Sequence, residues 1–398
     1  MSAALRLPLA ALVVVVIAVS YWLLSESGAE GRPLAFALLA GSAFGVVLQR
    51  SRFCFYCNLR DLVDKRDPSG VLSILVALAV GAIGYMAIFG TWLPTPALGR
   101  LPPTAHIGPV SVVLAGASFV FGLGMAISGS CLSAHFYRLG EGSVIAPFAI
   151  VGSALGFGLG FMTWNPLFNL ATSEAIVVWL PHHLGYTGSL VLTLGLLGAL
   201  AWLAVSLSKP QARPAQPPLD TREIVQNVFV RRWSGVAGGI LVGLIGTLYY
   251  FRVAPLGVTA ELGSIVRTAG ASAELFPSTL YGLDVLRGCA TVIKETLFSN
   301  NGLFVLGLIG ASFASALVAN QFRPRRLTGL DIMRGLGGGL LLGWGAMTAL
   351  GCTVGVLLSG IQAGAMSGWV FLLFCVVGAT LGILTARVIA RRSAPAAA

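Results

Sequence analysis

Charge is what this sequence has least of. Only 10% of its 398 residues are Asp, Glu, Lys or Arg, where soluble domains carry about 25%. Acids are the scarcer sign, 14 against 25 basic residues. So few charges cannot cover the surface of a soluble fold of this length, which excludes a cytosolic enzyme, a nucleic-acid-binding domain and a disordered tail protein. Cysteine is also sparse. Six are present, without the paired C-x-x-C spacing of a zinc site, which argues against a structural metal or a disulfide framework. No cofactor and no enzymatic activity are expected.

What the sequence has instead is apolar length and glycine: 56% hydrophobic residues and 51 glycines. A helix needs about 17 to 25 apolar residues to cross a bilayer. Ten such runs lie near 8–24, 34–49, 70–91, 109–127, 144–162, 186–206, 235–250, 302–319, 333–350 and 365–388. The first is longer than a signal peptide's apolar core of about 7–15 residues and is read as a retained span. Basic residues give the orientation. With the N-terminus inside, only Arg32, Arg100, Arg252, Arg267, Arg287 and Lys294 face outward, and the other 19 of the 25 face the cytoplasm. Both termini are therefore expected inside, and the net charge of +11 is mostly topology, with no nucleic acid implied. Residues 207–233, with Pro210, Pro214, Pro217 and Pro218 among charges, read as a linker.

The chain repeats itself. GLGMAISGSC at 122–131 matches GWGAMTALGC at 343–352, VGSALG at 151–156 matches VGATLG at 377–382, and 45–62 has a looser counterpart at 246–263. One extra span, 186–206, separates the halves, so equivalent elements point in opposite directions across the membrane, a common transporter build. The expected fold is an all-α integral membrane protein of about ten transmembrane helices, with re-entrant or broken helices and two inverted-topology repeats. Residues 1–33 form an additional span and outer loop, 34–185 the first half, 186–234 a linker span and cytoplasmic proline-rich linker, and 235–398 the second half.

Five segments are too polar or short to span and too apolar for free loops: 51–62, 126–143, 252–263, 283–298 and 350–364. Irregular backbone at membrane depth must be buried in protein or line a cavity, so these are read as re-entrant. Their helix N-termini present unpaired N–H groups that suit an anion.

The cysteines divide by context. Cys375, in VFLLFCVVGAT, reads as packing. Cys131 and Cys352 follow matching runs of small residues at repeat-related breaks and are candidate site residues. Cys54 and Cys57 form a lone C-x-x-C, open to redox or metal chemistry, although no second pair or nearby His favours zinc. Cys289 could line or pack. Separated thiols are soft, weak donors, suited to a sulfur-bearing ligand. Arg52, Arg60, Arg138 and Arg252 add positive potential, with Glu141 a partner in reach of Arg138.

QRSRFCFYCNLRD (49–61), GMAISGSCLSAHFYRLGEGS (124–143), PLGVTAEL (255–262, with Glu261) and GWGAMTALGCTVGVLLSGIQAGAMSGW (343–369) resemble the YeeE/YedE sulfur-transport family over about residues 34–390. The resemblance implies thiosulfate uptake across the bacterial inner membrane along a path with three functional cysteines, here Cys54, Cys131 and Cys352, and delivery to a cytoplasmic TusA-type sulfurtransferase. Cys57 stands where a small residue is expected, so a Cys54–Cys57 disulfide stays open. So do two other functions: a membrane thiol oxidoreductase using Cys54 and Cys57, and transport of another sulfur or selenium species.

Overall fold

The computed structural model describes residues 3–208, 226–283, 291–294, 296 and 298–393. Among them the chain is helical, and strand pairing is confined to isolated bridges. In chain order the helices are α1 (Ala3–Glu26), α2 (Gly28–Ser51), α3 (Phe55–Lys65), α4 (Ser69–Trp92), α5 (Val112–Ser128), α6 (Leu132–Gly140), α7 (Ala146–Leu167), α8 (Leu180–Ser206), α9 (Gly235–Arg252), α10 (Val258–Ser272), α11 (Asn300–Val318), α12 (Gly329–Thr348), α13 (Thr353–Gln362) and α14 (Met366–Ser393). Nine stretches of the described residues are long and apolar enough to cross a membrane, and α12 with α13, bent by 44°, makes a tenth. Each of the ten apolar runs falls on a long helix.

Hydroxyl side chains start several of them. Ser111 Oγ accepts the Leu114 N–H at 3.0 Å, Ser299 Oγ that of Gly302 at 3.0 Å, and Thr328 forms a capping box with Asp331. These satisfy first-turn donors that have no partner inside the helix. One boundary differs from the sequence reading. Residues 28–33, expected in an outer loop, are the start of α2, and only Ser27 separates it from α1. Glu30 lies in the first turn, where the helix dipole favours an acid, so the helix runs past the apolar stretch. Of the re-entrant candidates, 283–298 is described only at 283, 291–294, 296 and 298. Cys289, and most of the proline-rich linker, lie outside the described residues.

The packing follows an exchange pattern. α2 lies along α11 as α9 lies along α4, and α7 lies along α12 as α5 lies along α14. α5 and α12, and α2 and α9, meet each other. α1 packs outside this set on α2 and α11, joining Ala10 to Ala314 and Leu317, and α8 packs on α4. Glycines set the spacing. A methyl on Gly343 of α12 would overlap the Ser153 carbonyl of α7, and one on Gly41 of α2 would overlap the Phe304 carbonyl of α11. Close backbone approach of this kind is how helices associate where lipid removes the hydrophobic drive.

The bundle has two distinct ends. At one, Gln49 Nε2 donates to Gln321 at 2.7 Å and to Glu141 at 3.3 Å, and the Arg323 N–H donates to the Glu141 carbonyl. Arg232 reaches the Gln49 carbonyl there, and Arg387 pairs with Asp64. At the other, Val110 N–H bonds the Ile176 carbonyl, Leu180 N–H the Gly364 carbonyl and Trp179 Nε1–H the Ala363 carbonyl.

Gly343→Ala is expected to destabilise the protein by about 1–3 kcal/mol through overpacking. Gly337→Ala, on the same helix with open space around it, should be neutral or slightly stabilising. Thermal unfolding of the two purified variants in detergent checks the contrast.

Candidate functional site

Four helices begin where a preceding helix stops. α2 ends at Arg52, in the left-handed region at φ 52°, and the chain extends through Phe53 to Cys54, which opens α3. α5 ends at Gly129 (φ 80°), and Cys131 opens α6. α12 gives way to Leu350 (φ 59°) and Gly351 (φ 150°), and Cys352 opens α13. α9 ends at Arg252, and Gly257 opens α10. Three of these four N-cap positions are therefore the cysteines picked out by sequence; the fourth is glycine.

An N-cap is usually Ser, Thr, Asp or Asn, whose oxygen takes a first-turn N–H. Sulfur is a weak acceptor. Cys54 Sγ receives the Cys57 N–H at 3.4 Å and Cys352 Sγ the Val354 N–H at 3.4 Å, while Cys131 makes no side-chain cap. Helix N-termini capped this weakly keep donors and a positive dipole end available to an anion.

The three thiols are buried, and two are adjacent. Cys54 Sγ lies 3.8 Å from Cys131 Sγ and 3.5 Å from Ser130 Oγ. Cys352 Sγ lies 3.9 Å from Ser133 Oγ, in the first turn that Cys131 opens. A small cavity of about 30 Å³ opens beside Cys131, with Ser133, Thr353 and Val354 also on its lining and apolar side chains, Phe44, Phe53 and Phe55 among them, around the rest. The turn beneath Cys131 is braced: His135 Nε2 bonds Ser128 Oγ at 3.1 Å, and Ser128 Oγ lies 3.2 Å from the Ser130 carbonyl.

The other candidates are dispersed. Cys57 is a free thiol, as is Cys54, and its sulfur faces the Gly129 carbonyl at 4.0 Å. Cys375 is fully buried among apolar side chains. Arg138 is half-buried and reaches the Gly129 carbonyl at 3.5 Å, beside the Cys131 turn. Its expected partner Glu141 accepts a hydrogen bond from Gln49 and interacts with Arg138 through charge. Arg52 and Arg252 hold matching places after α2 and at the end of α9, both exposed. Glu261, on α10, is buried against Lys294 and accepts from Ser299 Oγ at 3.1 Å.

Sequence reasoning passed over Ser130 and Ser133, although both flank Cys131 in SGSCLS. His135 was visible one helical turn after Cys131. His106 gave no signal: it is a lone histidine in a loop, yet its Nε2 donates to the Leu350 carbonyl at 2.8 Å, at the turn before Cys352.

The family model described as Sulphur transport matches residues 50–381. The thiosulfate transporter TsuA of Spirochaeta thermophila is 30% identical over 362 residues, covering 86% of this chain and 95% of the relative. The thiosulfate transporter TsuA of Escherichia coli is 26% identical over 361 residues, covering 86% and 91%. The probable transporter YedE of Salmonella typhimurium is 29% identical over 164 residues, 39% of each chain. The chain is a multi-pass membrane protein that belongs to the sulphur transport family.

Proposed function

We propose that the protein takes up thiosulfate across the bacterial inner membrane along a path marked by Cys352, Cys131 and Cys54. The observation that carries this reading is the placement of all three thiols at the N-caps of broken helices, with 3.8 Å between Cys54 and Cys131 and Ser133 beside Cys352. Thiosulfate has a soft terminal sulfur and a hard sulfonate. The thiols hold the sulfur by S–H···S contacts, and the helix N-termini hold the sulfonate oxygens. Successive weak sites suit passage, since binding must permit both entry and departure. No covalent step is needed.

The halves 34–185 and 235–398 act as inverted repeats, with 1–33 and 186–234 outside them. α5–α6 runs from the end holding Val110 to the end holding Glu141, while α12–α13 starts beyond Arg323 and finishes against Trp179. Both termini are cytoplasmic in this reading, so Cys352 faces the entry side and Cys54 with Cys131 the exit. Moving a dianion inward against an inside-negative potential costs about 4.6 kcal/mol per 100 mV. A cytoplasmic sulfurtransferase of TusA type that consumes the anion would pull uptake forward. Arg138 supplies the positive potential nearest the thiols, because Arg52 and Arg252 are exposed and screened.

Uptake of labelled thiosulfate by a thiosulfate-dependent host tests the path. Cys54→Ala, Cys131→Ala and Cys352→Ala should each reduce uptake at least about tenfold, the equivalent of about 1.4 kcal/mol. Cys57→Ala should change it little, since the backbone N–H of Cys57 caps Cys54 and its thiol does not. Normal uptake with Cys131→Ala and Cys352→Ala removes the path, and loss confined to Cys54 and Cys57 points to an oxidoreductase.

The arginines should separate in the same assay. Arg138→Met raises the half-saturating thiosulfate concentration several-fold, whereas Arg52→Gln and Arg252→Gln shift it less than about twofold at physiological salt.

A further inference from the structure

A second cavity lies beside the turn that carries Cys352. Loop residues His106 to Ser111, Thr172 after α7, Thr348 to Leu350 at the end of α12, and Ser367 at the start of α14 enclose it. Three polar atoms of its lining are buried without a partner: His106 Nδ1, Thr172 Oγ1 and Ser367 Oγ. Their residues are 1%, 6% and 1% exposed. Orphaned polar atoms are rare in a protein interior, and three on one cavity mark a place built for a polar guest.

The histidine's tautomer follows from its other nitrogen. A carbonyl can only accept, so the bond from Nε2 to Leu350 O requires the proton on Nε2. Nδ1 of the neutral ring is then a lone pair without a partner, on a residue that lines the cavity together with Thr172 and Ser367. That set suits water while the ring is neutral. On protonation Nδ1–H becomes a charged donor, and with the two hydroxyls it forms a three-donor site for an oxyanion. Burial pushes His106 below the ordinary histidine range, so the ring rests neutral. The residues that face it from the 106–111 loop, Thr172, the end of α12, α13 and the start of α14 carry no ionisable side chain besides His106 itself; Cys352, two residues beyond Leu350, is the nearest along the chain.

We propose that this cavity is an outer waiting site for the substrate's sulfonate, loaded together with one proton on His106 Nδ1. The proposal rests on the uptake reading above, which puts this side of Cys352 outside. The cavity has room for about one water as it stands (about 10 Å³), so loading includes a widening of its walls. The proton comes from the external solution, where thiosulfate itself stays a dianion, and it reduces the net charge of the loaded site from two negative to one.

The test is binding of labelled thiosulfate to the purified full-length protein between pH 5.5 and 8. With one proton bound per anion, affinity should rise as pH falls, towards tenfold per pH unit between the pKa of the free and the occupied histidine. His106→Gln keeps an amide N–H for the Leu350 carbonyl and removes the titrating nitrogen; it should flatten this slope. Thr172→Val and Ser367→Ala leave His106 in place and should weaken binding several-fold at every pH with the slope intact. A slope that survives His106→Gln overturns the proton linkage. Unchanged affinity in Thr172→Val and Ser367→Ala overturns the site and leaves a water-filled cavity. Wild-type protein that binds no thiosulfate at any pH removes the uptake reading and this one together, whereas wild-type binding with all three variants unaffected removes only this one.

Discussion

A helix that stops inside the bundle leaves backbone groups that need partners there, and this constraint governs the rest of the molecule. The breaks after α2, α5, α9 and α12 each need a left-handed residue, a glycine or a close neighbour to turn the chain. Arg52, Gly129 and Leu350 are held at positive φ, and Leu350 is braced from outside by His106. Each new helix then needs a cap. Placing Cys54, Cys131 and Cys352 there satisfies the geometry weakly and leaves donors unspent. The same positions thus carry the breaks in the helices and the soft thiol side chains.

Holding four breaks still takes close packing around them. The glycines of α2, α7, α11 and α12 let backbones touch, so the broken segments are wedged between rigid pairs. α5 and α12 meet each other and also pack on α14 and α7, which ties the turn at Gly129 to the turn at Gly351. That coupling makes one narrow region of thiols and hydroxyls out of segments more than two hundred residues apart.

Much of this was legible in the sequence. The ten apolar runs became ten long helices because bilayer thickness fixes their length, and Gly-x-Gly with its following cysteine pointed to the breaks. The short helices α3, α6, α10 and α13 were recognisable as too polar to span. Residues 28–33 were misread as loop because hydropathy ends where charge begins, while a helix continues as far as its hydrogen bonds do. Ser133 and His106 could not be assigned from sequence. Their importance depends on which turn lies across from them, Cys352 for Ser133 and Leu350 for His106, and no local pattern encodes that. Glu261 was picked out with its motif, but its burial against Lys294 depended on a segment that reads as irregular.

On the proposed path the thiols touch the substrate's sulfur. A structure determined with thiosulfate bound tests it most directly. The terminal sulfur should lie beside Cys352 or Cys131, at a separation like the 3.8 Å between Cys54 and Cys131, with the sulfonate turned towards the N-terminus of α6 or α13. Thiosulfate held only by arginines at the bundle's ends, with the thiols in contact with nothing but protein, would contradict it.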